Sequence, residues 1–287
     1  MSGAEIPDDW VVDEPPAWGL SPGAQQPITA AVLAGRIDRN WAYGGATGAG
    51  VRVCILDSGI DPDHPQAGPV ERAITVADGE TGPDGTEGEP VIVDDTAGDV
   101  SGHGTACAGI VRLLAPEVTI ASARVLGSDV NGSFAVLRAG LAWAIEQRYD
   151  VLNLSLSVRN PRFALALCEL ADRAAHQGTL LVCSAHNLPV ESYPWRFASV
   201  VSVGSHEQAD PWCFYWNPDP PVDLYARGNN VPIAWPGGGT AHATGNSFAA
   251  PHVAGLAALV KSKHPQLTAF DLKTVLYRIA DNVQSAG

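Results

Sequence analysis

Apolar, β-branched runs alternate with longer stretches of helical spacing through the middle of the chain. VRVCIL (51–56), VTIASARV (118–125), VLNLSL (151–156), TLLVCSA (179–185) and ASVVSVG (198–204) hold few polar positions, as strands do when both faces of their sheet are covered. Between them, about 103–114, 133–148 and 161–178 read as helices. In the second, Phe134, Leu137, Leu141, Ala144 and Ile145 recur at helical spacing. A last helix is predicted from Phe270, Leu272, Val275, Leu276 and Ile279. Buried strands separated by helices predict an α/β fold: three layers, α/β/α, around a mostly parallel central sheet.

The pattern fails in two places. Residues 1–27 carry prolines, acids and tryptophans without period, so they read as an N-terminal arm ahead of one domain spanning 28–287. Residues 78–101, DGETGPDGTEGEPVIVDDTAGDVS, read as an acidic surface loop, and the spacing of their acids does not match an EF-hand. Composition narrows the function. With 46% hydrophobic and 17% charged residues in 287 the chain is globular, and a formal net charge of −14 disfavours nucleic acid as a partner and favours a neutral or cationic one. No 18-residue apolar span predicts a membrane partner. The first residues lack the charged and apolar regions of a secretory signal, and the five cysteines (Cys54, Cys107, Cys168, Cys183, Cys213) are widely spaced with no CxxC pair. The expectation is a cytoplasmic protein with reduced thiols and no structural zinc.

Three short motifs carry candidate chemistry. Asp57 follows the first strand in LDSGID, at the carboxyl edge where open α/β sheets bind ligands. It is either a turn or helix-capping residue or a buried carboxylate that needs a donor. His103 lies between glycines in GHGTACAG and opens a predicted helix, where one ring nitrogen can face a carboxylate and the other a nucleophile. Ser247 lies in GNSFAAPHVAG. Pro251 places it in the first turn of a helix, either as a cap or as a nucleophile beside free N–H groups. The run that follows is apolar enough to be buried nearly all round.

Taken together, LDSGID, GHGTACAG and GNSFAAPHVAG, in the order acid, histidine, serine, resemble the signature blocks of the subtilisin-like (subtilase) serine proteases over roughly residues 38–280. The resemblance implies a subtilisin-like fold and a serine endopeptidase with Asp57, His103 and Ser247 as its triad. It also implies Asn187, in LLVCSAHNLP, as the oxyanion-hole side chain. An extended peptide or protein substrate would lie between Val130, Asn131 and Gly132 on one wall and Ser155, Leu156 and Ser157 on the other, with His186 beside them.

This chain departs from the family at Asn246 and Phe248, which flank the serine where G-T-S-M-A is usual, at His186, and at Ser157. Phe248 is expected to narrow the leaving-group side, and His186 and Ser157 to crowd the first specificity pocket. Glu191, near that pocket, would suit a basic substrate side chain. GIVRLLAPEVTI leaves no room for the family's inserted calcium loop, and Gln66 stands where a carboxylate is often seen, so no metal and no cofactor are expected. Cys107, one turn beyond His103, is expected to pack beneath it. The arm is a candidate inhibitory tail. The expected function is peptide-bond hydrolysis, with processing of a specific peptide as one form; the alternatives are a peptide ligase or macrocyclase and a non-catalytic peptide-binding module.

Overall fold

The computed structural model describes residues 36–79 and 88–283; the predicted arm lies outside them. After a short helix, α1 (Arg39–Tyr43), the chain enters β1 (Arg52–Asp57), an inner strand of a nine-stranded sheet. β2 (Arg72–Gly79) and β3 (Gly88–Asp94) lead to α2 (His103–Leu114) and β4 (Thr119–Arg124). Then come α3 (Phe134–Glu146), β5 (Val151–Leu154), α4 (Ala164–His176), β6 (Leu180–Ser184) and β7 (Val200–His206). The chain closes with β8 (Phe214–Trp216), β9 (Leu224–Arg227), the hairpin β10 (Val231–Trp235) and β11 (Gly239–Ala243), α5 (Asn246–Lys263) and α6 (Ala269–Arg278).

The sheet order is β3-β2-β4-β1-β5-β6-β7-β9-β8, parallel except for the antiparallel pairs β2–β3 and β8–β9 at its two edges. Parallel strands need crossovers, made here in part by α2, α3 and α4; helices cover both faces, α2 and the late helix α5 on one side and α3 and α4 on the other. Since side chains alternate along a strand, Cys54 and Leu56 join the core under α3 and α4. Val53, Ile55 and Asp57 therefore turn toward α2 and α5. The chain leaves β1 for one half of the sheet and returns to its other flank with β5, so the end of β1 is a switch point.

The segment 78–101 is not wholly loop. Its GEPVIVD stretch forms β3, an edge strand with Val91 and Val93 exposed and Ile92 packed on the core. The only strand signal is the short run Val91–Val93 beside Pro90, which an edge strand tolerates, set among acids and glycines. In α6 the predicted apolar stripe holds for Leu272, Val275 and Leu276, whereas Phe270 is 77% exposed.

α5 is the hub of the core. All thirteen residues from Phe248 to Val260 are buried, which is why its sequence shows no polar face. The run includes His252, fully buried, with Nδ1 on the Phe248 carbonyl at 2.8 Å. Its Nε2 has no protein partner among the described residues. Burial, with Arg227 and His206 nearby, pulls its pKa from 6.5 to about 4 against the opposing Phe248 hydrogen bond. The unfolded chain therefore binds the proton more tightly than the native one. Stability present above pH 6.5 should drain away as pH falls toward 4, by about 3 kcal/mol from this residue. Urea melts at pH 7 and pH 4 test this: the loss should be smaller by about that amount in His252→Gln, and equal losses would refute it.

Candidate active site

Asp57 ends β1 with 1% of its surface exposed. Its Oδ1 accepts the Ser58 N–H at 2.8 Å, and both carboxylate oxygens face His103 Nδ1, at 2.8 and 2.9 Å. An ionised carboxylate only accepts, so the proton sits on Nδ1 and a neutral ring offers Nε2 as a base. Burial of the ring lowers its pKa, but the Asp57 charge and hydrogen bonds outweigh this and hold it above the ordinary 6.5.

His103 reaches Asp57 because it is the first residue of α2, whose N-terminus lies hard against the chain leaving β1. A Cβ on Gly104 would fall 2.0 Å from the Gly59 carbonyl, so only glycine permits this approach. Asp99 fixes the helix end. Its carboxylate accepts from Ser101 N, Gly102 N and Thr105 N at 2.7–3.0 Å and from the Ser58 hydroxyl at 2.8 Å. A negative charge is favourable at a helix N-terminus. The sequence alone places Asp99 among the solvated acids of 78–101; its position four residues before His103 is the signal that distinguishes it.

Ser247 is the second residue of α5, as Pro251 predicts. The proline has a further effect. Residue 251 would ordinarily donate its N–H to the carbonyl of Ser247, and proline has none. The Ser155 hydroxyl takes the place of that donor at 2.7 Å. Ser155 in turn accepts from Asn153 Nδ2 at 3.1 Å and lies 3.4 Å from Cys107 Sγ. Ser155 lines the cleft as expected, but its side chain holds the serine backbone in place. Cys107 is buried between Asp57, Ser155 and the Ser247 carbonyl, and burial followed by the Asp57 charge raises its thiol pKa. It packs as a neutral thiol beneath His103. Asp57, His103 and Cys107 bring ligand atoms within 4.8 Å of one another, but a protonated thiol and an Nδ1 already bound to Asp57 make a poor metal set.

Asn187 follows β6. Its Oδ1 accepts the Asn246 N–H at 2.9 Å, which leaves Nδ2 as its donor. A Cβ on Gly245 would lie 3.2 Å from Ser247 Oγ and 3.4 Å from Asn187 Nδ2, so both atoms surround one point that glycine keeps open. Asn246 clamps this end of α5 to the sheet. Its amide donates to the Ala185 and His186 carbonyls and its oxygen accepts from Ser205 N.

His103, Ser247, Asn187, His186 and both predicted walls, Val130–Gly132 and Ser155–Ser157, line one cavity of about 520 Å³. The structure therefore brings every sequence-predicted site residue except the buried Asp57 to one surface, with Asp57 behind His103. Among the described residues no hydrogen bond joins Ser247 Oγ to His103; such bonds commonly tighten only around substrate. Val130–Gly132 follows a turn closed by hydrogen bonds from Gly127 N to Asn131 O and from Val130 N to Gly127 O, with Val130 at φ 59°. Two expectations need correction. Phe248 does not narrow the cleft; it packs with Ala106, Ile110, Val231 and Ile233 behind the His103 ring. Glu191 lines a neighbouring cavity of about 360 Å³ and pairs with Arg196 at 3.4 Å.

Residues 48–287 match the sequence model of the subtilase family. The chain belongs to the subtilase family. This subtilase is 32% identical to Subtilisin BL of Lederbergia lenta over 252 residues, 84% of this chain and 87% of that protein. It is 31% identical to a subtilisin of Bacillus pumilus over 78% of this chain and 81% of that one. Among solved structures it is similar to a cold adapted subtilisin-like serine proteinase, with a TM-score of 0.64, 27% identity, and coverage of 86% of this chain and 92% of that one. It is accordingly a serine-type endopeptidase with the three-layer, mostly parallel architecture that its sequence pattern predicts.

Proposed function

We propose that this subtilase cleaves an extended peptide or protein through an acyl-enzyme, as a processing protease for a specific peptide. Ser247 attacks the scissile carbonyl. His103 Nε2 takes its proton and later returns it to the leaving amine, and Asp57 holds the tautomer and stabilises the imidazolium. Asn187 Nδ2 and the Ser247 N–H receive the oxyanion. The observation that carries this reading is the Asp57–His103 pair opening on the same cavity as Ser247 and Asn187. Peptide main chain would lie along Ser155–Ser157, with Val130–Gly132 opposite. The five free cysteines suit a reducing compartment, in keeping with a cytoplasmic location.

A fluorophosphonate probe tests the nucleophile. Labelling is expected in the wild type, mapped to Ser247 by peptide mass analysis, and lost in Ser247→Ala. A folded wild-type protein that stays unlabelled would overturn the reading.

A further inference from the structure

The chain carries 31 acidic residues against 17 basic ones, yet among the described residues no Asp or Glu lines the main cavity. Apart from its histidines, the one ionisable side chain that the described residues place on that surface is Arg159. Several other arginines are paired with acids, Arg39 with Asp281, Arg52 with Glu71 and Arg124 with Asp95, while Arg112 and Arg227 donate to carbonyls and Arg162 stacks on Phe163. Arg159 is exposed and, among the described residues, has neither an ion-pair nor a hydrogen-bond partner. The nearest acid in sequence on the opposite wall, Asp129, does not line the cavity, and its carboxylate is held by Asn131 N and Nδ2 at 3.2 Å. Among the described residues the cleft thus presents an unpaired guanidinium at its wall, in a protein of opposite overall charge.

Arg159 stands four residues past Ser155 on the wall that borders Ser247, within about 13 Å of chain. An extended peptide advances about 3.3 Å per residue, so its first four or so side chains span that distance. We propose that Arg159 is a specificity-determining residue that selects peptides with an Asp or Glu side chain within about four residues of the cleaved bond. This rests on the peptidase reading above and gives the site a substrate class opposite to the one Glu191 would suit.

The test places Glu, Gln or Lys in turn at each of the four positions on either side of the cleaved bond of a fluorogenic peptide. The kcat/KM ratio is compared for wild type, Arg159→Ala and Arg159→Glu. At one position the wild type is expected to favour Glu over Lys by about five- to tenfold, as solvent-exposed charge pairs allow. The ratio should approach one in Arg159→Ala, reverse in Arg159→Glu, and shrink with added salt. The wild-type ratio persisting in Arg159→Glu, or no position with a preference, would overturn the proposal. Fluorescent Glu and Lys peptides are also titrated onto Ser247→Ala with and without Arg159→Glu, a readout that needs no turnover. Charge-selective binding without hydrolysis in the wild type would sustain the role of Arg159 and sink the peptidase reading. Hydrolysis with an unaltered ratio would do the reverse, and the loss of both hydrolysis and binding would sink both.

Discussion

Asp57→Asn is expected to lower kcat by about 10⁴ while leaving the fold intact. The substitution is nearly isosteric, so the space behind His103 stays filled, but its chemistry changes. An amide turned with its nitrogen toward Nδ1 donates a hydrogen bond where the carboxylate accepts one, and the ring proton then moves to Nε2. That nitrogen can no longer receive the Ser247 proton. The pH profile supplies a second reading of the same change. In the wild type the carboxylate holds the His103 pKa above 6.5, so activity should fall on the acid side of the profile already above that pH. In the variant burial acts unopposed by charge, and the acid limb should move to lower pH. Steady-state kinetics from pH 5 to 9 check both parts; an acid limb that stays in place would show that Asp57 does not govern the imidazole.

Asn187→Ala is expected to lower kcat by about 10²–10³ with little change in KM, the range for loss of one oxyanion donor. The amide splits its two ends between two tasks: Oδ1 accepts the Asn246 N–H at the start of α5, and Nδ2 faces the space beside Ser247 Oγ. Alanine removes both. Asn187→Asp separates them, since the carboxylate keeps the bond to Asn246 and loses the donor. If oxyanion stabilisation dominates, both variants fall together; if the role of Asn187 is to anchor the helix, the aspartate variant retains most of its turnover. A loss confined to KM would mean that Asn187 binds the ground state only.

The buried strands and long helices were legible because their periodicity is strong: α2 begins and ends at the predicted residues, and α5 is as fully buried as its sequence demands. β10, with Pro232 exposed between buried Val231 and Ile233, was hidden by its proline and by the glycines of the turn after it. The motif residues were legible by type and order, since Asp57, His103 and Ser247 each follow or open an element at the sheet's carboxyl edge. What no local pattern encodes is the set of distant partners behind the site. Asn246 holds its position through Ser205 and Ala185, 41 and 61 residues away in sequence, and Asp99 adds Ser58, 41 residues away, to its local bonds at the start of α2. The same limit misplaced Glu191 and Phe248, whose directions depend on which neighbouring surface each side chain meets.

The missing amide at Pro251 has a mechanical corollary. A helix that kept all its internal bonds would carry Ser247 as a passenger of α5 alone; this one hands a carbonyl to a strand-end hydroxyl and so pins the attacking residue to the floor on which a peptide would rest. Grip and strike share a single rivet. A peptide lying on Ser155–Ser157, as proposed, would bear on the backbone of Ser247 through this one hydrogen bond.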